Sequence, residues 1–260
     1  MKMADDELIS VIMPAYNAQE TLACAVDSVL SQTYKKLELI IVDDCSKDDT
    51  LRIAQDYALA DRRIKVLHNA QNSGASRTRH NAVEAASGKW IAFLDSDDAW
   101  VSDKLEKQVI LQKKKNATLV FTGSAFMNAE GDPLDWTLHV PAEIRYRRLL
   151  KQNLISNSSV LVLKESYQKN EILGSNMHED FACWLNLLRS GEVAYGIDEP
   201  LLIYRLSPNS KSGNKIKAMK MNWNAYRRAG LTPFEAAYYM CWYAVNGLIK
   251  YSHLRKEKTK

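Results

Sequence analysis

The first part of the chain, residues 1–100, alternates short apolar runs with segments that repeat apolar residues at helical spacing. Four runs predict buried β-strands: ISVIMP, LELIIVDD, IKVLH and WIAFLD. The segments between them predict helices over residues 20–32, 48–57 and 75–86, the last of them stopped by Gly88. Because strands that alternate with helices pair in parallel, we predict an α/β fold with a doubly wound, Rossmann-like, mostly parallel sheet.

Beyond Trp100 the alternation becomes irregular. A helix that ends at Lys115 is predicted to be capped by Ser102, and a later helix is closed by Gly191. Three further segments predict strands: TLVFTGSAFMN, SSVLVLK and VAYGIDEPLLIYRL. The sequence TPFE, which starts at Thr232, is a capping box with proline at the first helical position, and it predicts a last helix. We therefore predict a catalytic domain over residues 1–210 and a helical extension over residues 211–260.

Polar residues follow three of the predicted strands at the point where each strand ends. Residues 14–17 follow the first strand, Asp43 and Asp44 the second, and residues 95–98 the fourth. Ligands of open α/β sheets bind outside the carboxyl ends of the strands. We expect these three segments to meet at one rim, with carboxylates from two strands.

The stretch FLDSDDAW contains three carboxylates within four positions. Alternate residues of an extended segment share a side, so Asp95 and Asp97 are expected to face together while Ser96 faces away. Two hard oxygen ligands suit Mg²⁺ or Mn²⁺, whose remaining ligands are water and substrate phosphate. A solvated turn in which Asp98 starts the next helix is the alternative, and these residues by themselves leave both interpretations open.

Several function classes are excluded by missing motifs. The chain has no P-loop, no G-x-G-x-x-G and no G-x-S-x-G, which argues against ordinary kinases, dinucleotide-binding enzymes and serine hydrolases. The four cysteines share no close spacing, which predicts reduced thiols and neither a zinc site nor a disulfide framework. The N-terminal stretch MKMADDELIS is acidic and lacks a long apolar segment, so we expect no signal peptide and a cytoplasmic location.

Three segments carry a family resemblance. They are VIMPAYNAQETLACAVDSVLSQTYKKLELIIVDDCSKDDT, NSGASRTRHNAVEAASGKWIAFLDSDDAW and HEDFACWLNLL, all within residues 9–205. In order and separation they resemble the family 2 glycosyltransferases of the GT-A fold. The resemblance implies an inverting, metal-dependent transfer of a sugar from a nucleotide diphosphate sugar, expected to be a UDP-sugar, in cell-surface polysaccharide biosynthesis.

The resemblance assigns DSDD as the DxD element of the family. Asp95 matches the acid near the ribose and metal, Asp97 matches the ligand of Mn²⁺ or Mg²⁺, and Ser96 lies between them in the nucleotide-sugar site. The uridine-binding region is matched by six residues: Pro14, Ala15, Tyr16, Asn17, Asp43 and Asp44.

Basic residues are also assigned to the donor by resemblance. Arg79 falls where the family often places an arginine near the nucleotide, whereas His80 stands where asparagine is common. Arg205 and Lys211 lie in a segment similar to one that folds over the diphosphate, and we expect them to bind phosphate. A solvated basic loop is the alternative for this segment.

The pair Glu179-Asp180 matches the acceptor-side ED motif, in which the aspartate is usually the catalytic base. Attack by a sugar hydroxyl on an anomeric carbon needs a nearby carboxylate to take the proton. The departing nucleoside diphosphate needs charge neutralisation, which a metal supplies. This division of roles predicts direct displacement with inversion. A helix N-terminus also favours acids, and both explanations can hold.

The C-terminal extension differs from the rest of the chain in charge. Residues 211–260 contain eleven Lys or Arg residues against two acids, and eight of the 23 aromatic residues. The apolar stretch AAYYMCWYAVNGLI is shorter than the ~20 residues that span a bilayer. We expect peripheral contact with an anionic membrane at the inner face of the plasma membrane. Packing on the catalytic domain and a homodimer contact are the alternatives, and no nucleic-acid-binding module is present.

The predicted function is therefore transfer from a UDP-sugar to a saccharide or lipid-linked acceptor. Two other functions stay open. A sugar nucleotidyltransferase shares a nucleotide-binding sheet, but it should carry a glycine-rich loop with Arg and Lys where this chain has PAYNAQE. A non-catalytic nucleotide-sugar-binding protein would not need Asp97 and Asp180.

Overall fold

A computed structural model describes residues 7–174, 176–206 and 215–257. Its strands are β1 (Ile9–Ala15), β2 (Leu37–Asp43), β3 (Ile64–His68), β4 (Trp90–Phe93), β5 (Ala99–Trp100), β6 (Leu119–Met127), β7 (Pro133–Leu138), β8 (Glu143–Ile144), β9 (Leu161–Leu163) and β10 (Ala194–Arg205). Its helices are α1 (Leu22–Leu30), α2 (Thr50–Ala60), α3 (Ala75–Ala85), α4 (Lys104–Lys115), α5 (Tyr146–Lys151), α6 (Lys164–Asn170), α7 (Glu179–Arg189), α8 (Lys215–Arg228) and α9 (Pro233–Glu257), with a 3₁₀ turn at Asn157–Ser159.

One half of the sheet is the parallel unit that the apolar runs predicted. Strands β3, β2, β1 and β4 lie side by side and run in the same direction. Side chains of β1 alternate between two cores, with Val11 and Met13 on one face and Ile12 on the other, as the pleat of a strand requires. Every residue of β1 and β2 is buried, because helices cover both faces of this half.

The other half of the sheet is mixed. Strand β9 is antiparallel to both β4 and β6, while β10 is parallel to β6 and pairs with the short antiparallel strands β5 and β8. The full order is β3-β2-β1-β4-β9-β6-β10-β5, with β7 beside β6 and β8 beside β10. The parallel half therefore forms one end of a larger sheet, and the chain after Trp100 builds the rest.

Local details differ from the sequence predictions at three places. α3 ends at Ala85 without a left-handed cap, and Gly88 serves another purpose: a Cβ there would lie 2.6 Å from Ser10 Oγ. Glycine is needed because the backbone passes this close to β1. α4 begins at Lys104, and its N-cap residue is Asp103 rather than the predicted Ser102. The predicted strand SSVLVLK starts instead with the 3₁₀ turn.

The C-terminal helices pack on the same core as α7. Tyr226 of α8 is fully buried, and its hydroxyl donates a hydrogen bond to the Leu150 carbonyl at 2.6 Å. The predicted capping box is confirmed at the start of α9: Thr232 N–H donates to Glu235 Oε2 at 2.8 Å, and Glu235 N–H donates to Thr232 Oγ1 at 3.3 Å. Within the described ranges, no helix combines the length and apolar character needed to cross a membrane. The division at residue 210 stays a prediction.

Candidate active site

A cavity of about 930 Å³ opens at the carboxyl ends of β1, β2 and β4. The three polar segments that follow these strands meet there, as the topology of a parallel sheet requires. The site residues predicted from the sequence that line the cavity are Pro14, Ala15, Tyr16, Asn17, Asp44, Arg79, Asp95, Ser96, Asp97, Glu179, Asp180 and Arg205. Lys211, also predicted to bind phosphate, lies outside the described residues.

Asp44 is held rigidly on the wall next to β1. Its Oδ1 accepts hydrogen bonds from Asn69 Nδ2 and from the Ser73 N–H, both at 2.8 Å, and its Oδ2 accepts one from the Gly74 N–H at 2.8 Å. Burial of the carboxyl acts to raise the pKa of Asp44, but these hydrogen bonds outweigh it and hold the pKa below its usual value. Asp44 is therefore a fixed anion, suited to accept hydrogen bonds from a base or a ribose.

The turn after β1 is tied to the loop after β2. Asn17 has φ 48°, a left-handed conformation that asparagine tolerates well. Its N–H donates to Ser46 Oγ at 3.0 Å, and its Oδ1 accepts from the Lys47 N–H at 2.9 Å. Tyr16 stays 46% exposed beside this link. The turn thus presents an aromatic ring to the cavity from a fixed backbone.

Asp43 is placed differently from the other predicted donor residues. It is fully buried at the end of β2, and it does not belong to the cavity lining formed by the described residues. Its Oδ2 accepts from the Ser46 N–H at 3.1 Å and pairs with His68 Nδ1 at 2.9 Å. Asp44 follows the last residue of β2, and it is the member of this pair that lines the cavity. Asp43 supports the loop that carries its neighbour.

The acid cluster after β4 is short of positive charge. Burial and then the nearby Asp95 raise the pKa of Asp97 to about 6, although Arg205 and Arg79 act in the other direction. Burial and then the Asp97 charge also raise the pKa of Asp98 well above its usual value. Asp98 Oδ1 accepts the Arg205 N–H at 3.0 Å, which anchors β10 to the cluster. A cation bound between Asp95 and Asp97 would relieve this repulsion.

Arg205 is bound to the wall of the cavity by the backbone. Its Nε donates to the Asp97 carbonyl at 2.9 Å, and its Nη1 donates to the Ala129 carbonyl at 2.9 Å. The guanidinium is therefore fixed beside the acid cluster, in the cavity lining, with its charge directed toward the same region.

Arg79 links the acid cluster to the start of α7. Its Nη2 donates to Asp95 Oδ1 at 2.5 Å and its Nη1 donates to Glu179 Oε1 at 2.7 Å. Burial acts to lower the pKa of Arg79, but Asp95 and Glu179 outweigh it and raise the pKa. This arginine therefore holds the donor-side and acceptor-side carboxylates of the cavity at a fixed separation.

We expect Arg79→Met to lower the free energy of unfolding by about 3–5 kcal/mol, since it leaves two carboxylates without their buried partner. The measurement is urea unfolding at neutral pH. Arg52→Met is the matched control, because Arg52 pairs with Asp49 and Asp56 at the exposed surface of α2, where ion pairs contribute little. Equal stability of the two variants would contradict the role given to Arg79.

Asp180 stands in the first turn of α7 and lines the cavity. Burial, followed by the neighbouring Glu179 charge, raises its pKa above the usual value, while His178 and Arg79 oppose the shift. A carboxylate with a raised pKa is a better proton acceptor than an ordinary surface aspartate. The arrangement can remove a proton near Asp180, and with a cation between Asp95 and Asp97 it could hold an anionic diphosphate there.

Several aromatic residues of the cavity lining were not predicted from the sequence. They are Phe126, Trp136, Tyr204 and Tyr243. Tyr204 immediately precedes Arg205, so the pattern that identified Arg205 could have included it. Tyr243 belongs to the apolar stretch of α9, and an apolar stretch alone gives no signal for a residue that lines a cavity.

The fold and the site together define the GT-A class of transferases. S. aureus TarS (residues 1–349), whose structure was solved in complex with UDP-GlcNAc, superposes with a TM-score of 0.71. The alignment covers 92% of this chain and 74% of that one, at 18% identity, which shows the shared fold. The predicted GT-A fold, with its Rossmann-like sheet and C-terminal helices, is confirmed.

The family follows from the sequence. The sequence model of the protein family described as "Glycosyl transferase family 2" matches residues 10–178, so the chain belongs to this family of glycosyltransferases. It is 41% identical to the putative teichuronic acid biosynthesis glycosyltransferase TuaG of Bacillus subtilis, covering 94% of this chain and 97% of TuaG. It is 35% identical to WfgD of Escherichia coli, a UDP-Glc:alpha-D-GlcNAc-diphosphoundecaprenol beta-1,3-glucosyltransferase, covering 95% and 96% of the two chains.

Proposed function

We propose that the protein transfers a sugar, with inversion, from a UDP-sugar to a saccharide on a lipid-linked acceptor in cell-surface polysaccharide synthesis. One observation carries the proposal: Asp44, the pair Asp95 and Asp97, and Asp180 all line one cavity. The names of WfgD and TuaG support the substrate classes, and the TarS complex supports a UDP-sugar donor.

The carboxylate pair fits a divalent cation. Asp95 and Asp97 offer hard oxygen ligands. Burial and then the Asp95 charge raise the pKa of Asp97, and a bound cation would offset both effects. No group of three or more acidic, histidine or cysteine side chains that could hold an ion occurs in the described residues. Two side chains leave coordination positions for the donor diphosphate and water, as is usual for Mg²⁺ and Mn²⁺. When bound, the ion would neutralise charge on the leaving diphosphate.

The residues of the chain supply the remaining steps. The Pro14–Asn17 turn and Asp44 hold the nucleoside, and Arg205 adds positive charge near the diphosphate. Asp180 accepts the proton of the acceptor hydroxyl as that oxygen attacks the anomeric carbon. Attack and departure on opposite faces invert the anomeric configuration in a single displacement. Arg79 positions Glu179 and so keeps the base at a fixed distance from the donor.

A panel of UDP-sugars with Mn²⁺ tests this function. Thermal shifts identify the donor that is bound, because selective binding stabilises the native state. Transfer is then measured with that donor and a synthetic α-GlcNAc diphosphate on a short polyprenyl chain. Release of pyrophosphate from a nucleoside triphosphate and a sugar phosphate would instead indicate a nucleotidyltransferase. Binding without transfer or donor hydrolysis would indicate a non-catalytic binding protein.

We further propose that the outer face of α9 contacts an anionic membrane surface. Phe234, Tyr238, Trp242 and Val245 recur at helical spacing and are 89%, 56%, 38% and 51% exposed. The inner face of the same helix packs on the core through Ala236. Eleven basic residues in the extension add attraction of about 1 kcal/mol each where they lie near the lipid surface. Such contact would bring the cavity close to an acceptor carried by lipid.

The protein is expected to co-sediment with anionic vesicles and to be partly released by high salt, because salt screens the charge but not the aromatic contact. The double variant Phe234→Ser, Tyr238→Ser should lose the salt-resistant fraction. Leu59→Ser is the control, since Leu59 is 88% exposed on α2, away from α9. Equal sedimentation with neutral and anionic vesicles would exclude the membrane proposal and leave a homodimer contact for this face.

A further inference from the structure

One wall of the cavity is aromatic and has no role in the mechanism above. Phe126 and Trp136 stack with ring centroids 3.8 Å apart and an interplanar angle of 21°. The pairing of β6 with β7 shifts register here, so that Asp135 and Trp136 form a bulge between the paired residues Leu134 and Thr137. Bulges re-aim side chains next to functional sites. This one places an indole on the Phe126 ring at the cavity.

The aromatic wall reaches the reaction centre through Tyr204. Its ring lies 5.8 Å from the Phe126 ring, tilted by 58°. Burial, followed by the charges of Asp98, Asp95, Asp97 and Asp180, raises the pKa of the Tyr204 phenol. The phenol is therefore within electrostatic reach of both the acid cluster and the base, and it stays protonated as a hydrogen-bond donor.

A second tyrosine approaches the base from the C-terminal helices. Tyr243 of α9 lines the cavity with Asp180. It forms a side-chain hydrogen bond with Asn222 of α8, which is 2% exposed. A buried polar side chain that holds a phenol in a cavity fixes that phenol in position. The last helix thus contributes a hydroxyl group near the proposed base.

We infer that Phe126, Trp136, Tyr204 and Tyr243 form the acceptor subsite, which binds a pyranose ring of the lipid diphosphate acceptor. The inference rests on the proposed function. The C–H groups of a sugar face carry partial positive charge and suit the negative face of an aromatic ring. Here that ring is the Trp136 indole, which is stacked on Phe126. The Tyr243 hydroxyl bonds a sugar hydroxyl and orients the attacking oxygen toward Asp180.

The location separates this subsite from the donor. Most donor-side residues lie at the ends of β1, β2 and β4, in the parallel half of the sheet, and Arg205 joins them from the end of β10. The aromatic residues come from β6, β7, β10 and α9, in the mixed half and the C-terminal helices. Pockets of this kind combine aromatic walls with a few fixed polar groups, which set the orientation of the ligand. Asp180 lies in the first turn of α7 and lines the same cavity.

The test separates donor chemistry from acceptor binding. Trp136→Ala and Tyr243→Phe are assayed for UDP release without acceptor, and for transfer to the synthetic α-GlcNAc diphosphate polyprenyl probe. We expect Trp136→Ala to raise the KM for the probe roughly tenfold, from the loss of stacking, and Trp136→Phe to restore part of it. Tyr243→Phe should also raise this KM, because the phenol that bonds the sugar hydroxyl is lost.

The control lies outside the cavity lining. Tyr57→Phe removes a phenol from α2, where its hydroxyl donates to Asp27 at 2.9 Å. This variant should keep the wild-type KM. Two outcomes would overturn the acceptor subsite while the donor function stands. One is an unchanged KM in both Trp136→Ala and Tyr243→Phe. The other is a wild-type protein that releases UDP but does not use the probe. No UDP release and no transfer by the wild type would overturn the proposed function itself.

Discussion

Replacing Asp180 by asparagine is expected to lower the transfer rate by roughly 10²–10⁴-fold, the usual range for losing a general base. Asparagine has almost the same shape, but it cannot accept the proton of the acceptor hydroxyl. The donor is held elsewhere in the cavity, by Asp44 and the turn after β1, so UDP-sugar affinity should stay nearly unchanged. Steady-state transfer and calorimetric UDP-sugar binding are the two measurements. A collapse of donor affinity would place Asp180 in the donor site instead.

The pKa of Asp180 predicts two accompanying effects. Because its folded-state pKa is raised, transfer should fall as pH drops through that value, and this acid limb should be missing in Asp180→Asn. A raised pKa also means that the ionised carboxylate costs stability above the unfolded-state pKa, so the variant should melt at the same or a higher temperature. Glu179→Gln is the matched control: it should melt lower, because Arg79 loses one of its two partners.

Asp97→Asn is expected to abolish most turnover and to weaken the metal-dependent part of UDP binding. The amide removes one of the two anionic oxygens proposed to hold the cation, and its neutrality also relieves the repulsion with Asp95. The fold should therefore be preserved. Calorimetric titration of UDP with and without Mn²⁺ measures the first effect, and thermal unfolding measures the second.

Asp98→Asn is the control within the same cluster. Its Oδ1 can still accept the Arg205 N–H, so metal-dependent UDP binding should largely persist. If Asp97→Asn turned over at the wild-type rate at saturating Mn²⁺, the assignment of Asp97 as a metal ligand would be rejected.

The parallel half of the fold and its rim could be predicted because both depend on local sequence. Runs such as ISVIMP are apolar at every position but Ser10, as expected for strands covered on both faces, and the residues that follow them meet at one edge. The mixed half could not be predicted in the same way. Strand β9 lies between β4 and β6 in the sheet, although the four strands β5 to β8 separate it from β4 in sequence, and such pairing leaves no local pattern.

Contacts between residues that are distant in sequence also limit how much of the site could be predicted. The ED pair could be found by resemblance, but the ion pair from Arg79 to Glu179 joins α3 to α7 and depends on tertiary packing. Asp43 and Asp44 are adjacent identical residues, and only the register of β2 shows which of them lines the cavity. The basic charge of residues 211–260 suggested a separate extension. In the structure, however, Tyr226 of α8 is fully buried in the same hydrophobic core as α7.

The contribution of α9 to the cavity has a consequence for synthesis of the chain on the ribosome. Residues 10–178, which match the family, are translated before either α8 or α9. A nascent chain of that length contains Asp44, Asp95 and Asp97, yet it lacks Asp180, Asn222 and Tyr243. Under the proposed roles, such a chain carries donor-side residues but neither the base nor the last wall of the acceptor subsite. A chain that ends before α9 is therefore expected to bind the acceptor more weakly than a chain that includes this helix.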